Sequence, residues 1–285
     1  MKERKEYTVA KWAGFFQVSR SGYYSYIENR GERLRDRETL KSEIKKIFDE
    51  SNGTYGPGRI CGIIRKRGRK ASYGKVSGYM AEMSLNSIYN RHKKQRSLTD
   101  SRKSRGAGYP NMLKDLIVQR RYQAVCSDIT YLKSGEGWTY LCAVKDIATG
   151  EILGEATSAS MKKELVIQAF LNAQARHGLG ENTIFHSDRG GQYTSTEFVE
   201  ALKTYRVRQS FSRVGMPGDN AWAESFFATL KKECIHFKHF ATREELAQTV
   251  FAWIEGFYNT RRVQAGLGYS SPREYAESLT SVVAA

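Results

Sequence analysis

Three acidic residues stand where a carboxylate is costly or well placed for chemistry. Asp128 interrupts Val125-Cys-Ser-Asp-Ile-Thr-Tyr-Leu132, a run of apolar and β-forming residues. A bare aspartate there is expensive unless it is paired, exposed or bound to a cation. Asp188 follows Ile184-Phe185-His186, at the end of a short strand, where open α/β sheets present their ligands. Glu224 lies on a helical stretch whose spacing puts Asn220, Glu224, Phe227 and Lys231 on one face. Trp222, Phe226 and Leu230 would then form the inward face. Singly, each acid reads as an ordinary surface group; the joint pattern carries the signal. Carboxylates suit hard cations such as Mg²⁺. Two such ions about 3.5–4 Å apart promote in-line displacement at a phosphodiester. No histidine or cysteine cluster accompanies the acids, and this chemistry needs none.

The elements that must position these acids are legible in the periodicity. Ala124–Leu132, Trp138–Asp146 and Ile152–Ser158 read as strands, the first two joined by the Ser134-Gly-Glu-Gly137 turn. Glu164–Ala175 reads as an amphipathic helix, Thr183–His186 as a strand, Thr194–Tyr205 as a helix capped by Thr194 or Ser195, and Val207–Phe211 as a strand. Helices are expected over Asn220–Phe237 and Arg243–Asn259. Three strands followed by alternating helices and strands is the order of an α/β, ribonuclease-H-like core, a mixed sheet flanked by helices.

The N-terminal third has a different character. Residues 1–30 read as a short helical piece with Trp12, Phe15 and Phe16 at helical spacing, ending near Ser21-Gly-Tyr-Tyr24. Arg35–Glu50 is an amphipathic helix with Leu40, Ile44 and Ile47 on one face, and Asn52-Gly-Thr-Tyr-Gly-Pro-Gly58 breaks it. Helices over Arg59–Gly68 and Ser72–Met83 follow. Short helices joined by glycine turns and studded with Arg65, Lys66, Arg67, Arg69 and Lys70 suggest a helix-turn-helix-like DNA-binding unit. Arg91–Gly106, which contains Lys93 and Lys94, is a basic segment with almost nothing apolar. The reading divides the chain into a helical DNA-binding region at 1–90, a basic linker at 91–118 and a catalytic core at 119–285.

Charge agrees with this division. The chain carries a net charge of +16 and a pI near 9.6, which favours a polyanionic partner. Through Gly106 there are 26 basic and 11 acidic residues; the remainder holds 20 and 19. The excess sits in front of a near-neutral body, as expected for a DNA grip joined to a catalytic module. Four scattered cysteines offer neither a disulfide framework nor a zinc-site spacing and fit a reducing cytosol. No long apolar run or secretory leader is visible, so no membrane partner is expected.

At Asp128-Ile-Thr-Tyr131, His186-Ser-Asp-Arg-Gly-Gly-Gln-Tyr193 and Ser212-Arg-Val-Gly-Met-Pro-Gly-Asp-Asn-Ala-Trp-Ala-Glu-Ser225, the chain resembles the DDE transposases of the insertion-sequence-three type. These share a retroviral-integrase-like catalytic core. The 35 residues between Asp188 and Glu224 match that superfamily's spacing, and the 59 between Asp128 and Asp188 are compatible. Phe226-Phe-Ala-Thr-Leu-Lys-Lys-Glu233, Tyr258-Asn-Thr-Arg-Arg262 and Leu267-Gly-Tyr-Ser-Ser-Pro272 resemble its downstream signatures. Val18-Ser-Arg-Ser-Gly-Tyr-Tyr24 and Tyr55-Gly-Pro-Gly-Arg-Ile60 resemble its N-terminal module. Gln264 stands where the family commonly has histidine, Val125 where tryptophan is frequent, and Gly58 where many members carry a basic or aromatic residue.

The resemblance implies that Asp128 bridges two Mg²⁺ (or Mn²⁺) ions, with Asp188 and Glu224 each completing one. Cleavage at an element end would free a 3′-hydroxyl, which then attacks a second phosphodiester. It implies DNA contacts for Lys231, Lys232, Arg261 and Arg262, alongside Arg65, Arg67, Lys93 and Lys94 upstream. His186 and Gln192 would orient substrate or serve structure. It further implies a bacterial, cytoplasmic, nucleoid-associated protein that assembles as a homo-oligomer on double-stranded DNA. Fusion to an upstream-frame DNA-binding protein by ribosomal frameshifting is part of the same expectation. A ribonuclease-H-type nuclease that never joins strands, or a DNA-binding remnant, are the alternatives. If the basic front end is the grip, DNA affinity falls steeply with salt as phosphate counterions are released. A titration of binding against NaCl checks this, and a flat profile would remove the basic segment from that role.

Overall fold

A computed structural model describes residues 8–90, 110–213 and 217–283 of the 285-residue chain. The chain divides into two compact units, Met1–Ser87 and Ile88–Ala285. Lys93 and Lys94 lie outside the described residues. Among those residues no helix is long and apolar enough to cross a membrane. All four cysteines are buried and unpaired.

The first unit is helical: α1 (Val9–Phe15), α2 (Arg20–Glu28), α3 (Arg30–Glu50), α4 (Pro57–Lys66) and α5 (Tyr73–Glu82). Its core forms where Leu40, Ile44 and Ile47 of α3 meet Ile60 and Ile64 of α4 and Val76 and Met80 of α5. Pro57 occupies the first turn of α4, where a missing N–H costs nothing. The Ser72 side chain caps α5 by accepting from Lys75 N. The first thirty residues differ from the sequence expectation. The break falls at Phe16–Ser19, and Ser21–Tyr24 lies inside α2, because Ser19 Oγ accepts from Gly22 N and starts a new helix. Trp12 and Phe16 stack with centroids 5.7 Å apart, but both remain exposed.

The second unit contains β1 (Ala124–Ser134), β2 (Gly137–Asp146), β3 (Ile152–Ser158), α6 (Lys163–His177), β4 (Ile184–Ser187), α7 (Thr196–Thr204), β5 (Arg208–Phe211), α8 (Ala221–Leu230), α9 (Arg243–Trp253) and α10 (Pro272–Val283). The strands lie in the order β3-β2-β1-β4-β5. The β1–β2 and β2–β3 pairs are antiparallel, whereas β4 and β5 join in parallel. This is the mixed sheet of a ribonuclease-H-like fold. Alternation sends Val125, Val144 and Phe185 to one face, against Phe170 of α6 and Phe198 of α7. Leu132, Leu141 and Ile152 go to the other, against Phe226 and Leu230 of α8 and Leu246 of α9. Residues 110–118, expected within the linker, include chain packed on this unit. Phe211 N donates to Pro110 O, and Leu113 is buried with Ala124 and Ile184.

Two expected helices are shorter than their periodicity suggested. The stretch 220–237 consists of α8 followed by a π-helical turn over Lys231–Ile235, and α9 likewise passes into one over Ile254–Tyr258. The wider turn keeps Cys234 in the core while bringing Glu233 toward Arg262. Phe227, assigned to the outward face with Glu224, is buried, whereas Trp222, assigned inward, is 37 % exposed. The helix presents a broader apolar face than the i, i+4 spacing implied, since it packs against both the sheet and α9.

Close packing of α6 on β3 depends on Gly154. A Cβ there would lie 2.4 Å from Ala173 N and 2.6 Å from Ala169 O. Gly154→Ala should therefore cost about 1–3 kcal/mol through overpacking and lower the Tm, checked by thermal denaturation.

Candidate active site

The parallel pairing of β1 with β4 sets Cys126 opposite His186. Two residues further on stand Asp128, within β1, and Asp188, just past the end of β4. That register, continued by two residues, would set the two carboxylates on neighbouring chains, whose ordinary spacing in a sheet is about 4.8 Å. The β1–β4 ladder stops at His186 and β4 itself at Ser187, so the sheet opens where the two carboxylates emerge. Asp128 Oδ1 accepts from Ile129 N at 2.8 Å. Asp188 Oδ1 accepts from Gly190 N at 3.0 Å, a tight turn in which a Cβ on residue 190 would approach that oxygen to 3.1 Å.

Glu224 comes from the first turn of α8 and is exposed. Several bonds fix that helix end on the sheet. Asn220 Nδ2 donates to Ser127 O at 3.2 Å, beside Asp128, and buried Lys145 Nζ donates to Trp222 O at 2.9 Å. The turn before α8 is held by Asp219, which accepts from Arg213 through both carboxylate oxygens and from Asn111 at 3.0 Å. The Arg213 bond holds the Asp219 carboxyl down at about 2. The sequence places Asn220 on the Glu224 face and Asp219 in the motif before it, without a task for either. A Gly-Asp-Asn before a helix resembles any capping sequence, and only the tertiary contacts reveal its task.

The three acids share one electrostatic environment. Asp128 is pushed up to about 7 by burial, then by the charges of Asp188 and Glu224, against the opposing influence of Ile129 N–H and Lys231. Asp188 keeps a solvent-exposed edge, yet the protein packed behind it raises its carboxyl as well. Among the described residues no three His, Cys, Asp or Glu side chains converge tightly enough to enclose an ion as they stand. The donor set nevertheless suits a hard divalent cation. All three donors are carboxylates, and the repulsion that lifts Asp128 is what a cation would relieve.

The neighbours have varied duties. Lys231 is half-buried, lies 4.9 Å over the Tyr131 ring, and is close enough to Asp128 for each to bias the other's charge; burial lowers its own pKa. Lys232 sits 4.1 Å over Tyr89. Arg262 forms a buried bidentate pair with Glu233, at 2.7 Å through both Nε and Nη2, and Tyr89 O–H donates to the same carboxylate. Arg262 is therefore committed to structure, whereas Arg261 is exposed and donates to Gly256 O. In the helical unit Arg65 donates to Ala71 O, and Arg67 pairs with Glu43 at 3.5 Å; both are exposed. His186 is a buried structural histidine, between Ser210 Oγ at 2.9 Å and Ser212 Oγ and Asp219 O at 3.1 Å, and burial lowers its pKa. Gln192 donates to Met161 O. Tyr193, the last residue of the His186–Tyr193 motif, hydrogen-bonds Ser127 Oγ at 2.9 Å and so ties the Asp188 loop beneath β1. Val125 is core, and Gln264 Nε2 is buried without a hydrogen-bond partner among the described residues.

Residues 118–217 and 224–279 match models of the integrase core domain, and residues 35–93 match an HTH-like domain. The chain is 35% identical to the transposase for insertion sequence element IS904 of Lactococcus lactis over 84% of its length and 94% of the relative's. It is 33% identical to the transposase InsF for insertion sequence IS3A of Escherichia coli over 96% of both chains. This chain belongs to the insertion-sequence transposases. The transposase is thereby a member of a nucleotidyl-transfer family, and DNA is its partner. Among solved structures it is similar to a simian T-cell lymphotropic virus intasome in complex with PP2A regulatory subunit B56 gamma (TM-score 0.47, 13% identity, 78% of this chain and 74% of that one). It is also similar to the HTLV-2 integrase catalytic core domain in complex with magnesium (TM-score 0.43, 16% identity, 55% and 97%).

The raised Asp128 pKa has a stability consequence. Its folded-state value lies above the unfolded one, so its ionisation opposes folding, and the penalty grows as pH rises from about 4 to about 7. In metal-free protein, Asp128→Asn should raise the Tm at pH 8 by several degrees, with the gain vanishing near pH 4. Thermal melts across pH check this; an equal gain at both ends would mean the carboxylate is not strained.

Proposed function

We propose that this transposase cuts a phosphodiester at each element end and joins the freed 3′-hydroxyl to a second phosphodiester, using Asp128, Asp188 and Glu224. The observation that carries the reading is an aspartate in β1 and another just past the end of its parallel neighbour β4, close enough in charge to act on each other and on a glutamate from a helix tied to β1. Asp128, Asp188 and Glu224 would hold two Mg²⁺ ions, with Mn²⁺ as substitute, which supply charge neutralisation at the attacking and leaving oxygens. The chain's own part is positioning. β1 and β4 fix the aspartates, and the Asn220 and Lys145 bonds fix the origin of α8, so that only the Glu224 side chain needs to adjust. Lys231 adds a cation beside Asp128 for a substrate phosphate. The helical unit and the basic stretch after it grip element-end DNA through its backbone, and the second unit performs the chemistry. Two or more copies would act on paired ends, with an upstream-frame DNA-binding segment fused where recognition needs it.

The test is a magnesium-dependent reaction with labelled DNA carrying candidate element ends, comparing wild type with Glu224→Gln. Joined products in the wild type and their loss by at least a hundredfold in the variant are expected, with DNA binding retained. Cleavage without joining would make the chain a nuclease, and an active Glu224→Gln would remove Glu224 from the triad.

A further inference from the structure

We infer that the outer end of the β1–β2 hairpin is a stacking platform for an unpaired base of the DNA strand held at Asp128. Four residues share one face there by register: Tyr131 pairs with Tyr140, and Lys133 with Trp138. Deeper along the same face, Val125 and Ile129 pack into the core beneath α6 and α7. At the outer end the cover stops. Trp138 is 49 % exposed and Lys133 is exposed. The Trp138 indole meets Tyr131 edge-on with centroids 5.2 Å apart, leaving an aromatic surface turned to solvent.

The platform is rigid behind its exposed ring. Gly135 N donates to Phe240 O at 2.9 Å, Arg243 Nε donates to Trp138 O, and Arg243 N donates to Glu136 Oε2. Gly135 is packed so closely that a Cβ would stand 2.6 Å from Ala241 O. An exposed tryptophan on a fixed backbone loses little freedom when a ring stacks on it.

Charge and position select the occupant. Lys133 makes no ion pair among the described residues, and Lys231 lies over Tyr131, while the nearby acid Glu136 is engaged by α9. Two cations beside two aromatic rings match a nucleotide, whose phosphate takes the charge and whose base takes the ring. Tyr131 lies three residues beyond Asp128, about 10 Å along the strand. Lys231 reaches both. The Asp128 and Tyr131 side chains leave opposite faces of β1, but β4 pairs with β1 only as far as Cys126. A strand whose phosphate sits at Asp128 would therefore pass round the edge beyond that ladder, beside Lys231, and bring a neighbouring base to Tyr131 and Trp138. The inference rests on the proposed function only in requiring DNA at Asp128.

The experiment uses the full chain in metal-free buffer, so binding is read without cleavage. The probes are a fluorescein-labelled duplex with a short single-stranded 3′ overhang and the same duplex blunt. Trp138→Ala should weaken binding of the overhang about tenfold, with an unchanged salt slope and little effect on the blunt duplex. Trp138→Phe should restore most of the loss, and Lys133→Ala should lower the salt slope by about one. A 2-aminopurine in the overhang should be quenched by wild type and not by Trp138→Ala. Equal affinity of wild type and Trp138→Ala for the overhang, or no quenching by wild type, would overturn the inference. If Trp138→Ala fails to fold, quenching by wild type and by Trp138→Phe decides. Stacking without strand joining in the magnesium assay would instead count against the proposed function alone.

Discussion

The parallel register between β1 and β4 is the constraint on which the candidate site depends. One short ladder, ending with Cys126 beside His186, leads each chain to an aspartate two residues later at the same end of the sheet. A slip of one residue would send one of them to the opposite face and into the core beneath α6. The surroundings oppose such a slip. Val125 and Phe185 are both buried on the α6 face, and Tyr193 bonds to Ser127 just below Asp128. His186 is enclosed by Ser210, Ser212 and the Asp219 carbonyl, which joins β4 to β5 and to the turn before α8. The carboxylates repel one another, and the fold holds them together because the neutral packing around them outweighs that repulsion.

A second set of interactions secures the far side of the unit. Glu151 and Glu155 are buried acids, answered by Arg121, Arg273 and Arg176; Glu255 joins the last two arginines to each other. This alternating chain connects β3, α6, the π-helical turn after α9 and α10. The Glu233–Arg262 pair does the same between the π-helical turn that continues α8 and the Tyr258-Asn-Thr-Arg-Arg262 segment. Removing one partner of so buried a pair generally costs about 3–5 kcal/mol, because the other charge is left uncompensated. The C-terminal signature thus holds the helix that carries Glu224, and its second arginine is a structural residue.

The ribonuclease-H-like order of elements and the helical front end are legible in the amino-acid sequence, as is the spacing of the three candidate acids. These are written in local periodicity, in turn residues and in the one-dimensional spacing of chemically distinctive groups. The core of α3, with Leu40, Ile44 and Ile47 inward, followed from helical spacing alone. Tertiary structure alone decided what each polar side chain is for. Arg262 and Lys231 are both basic residues in family-like motifs. One is buried against Glu233 and the other stands beside Asp128, a difference fixed by which elements pack against them. The start of α2, the π-helical turns and the burial of Phe227 depended likewise on caps and neighbours distant in sequence. Asp219, Asn220 and Tyr193 gave no distinct signal because their partners, Arg213, Ser127 and Asn111, are brought to them only by folding. Spacing along a chain records which groups are available; the low-dielectric packing around each group decides whether it is neutral, paired or left facing the substrate.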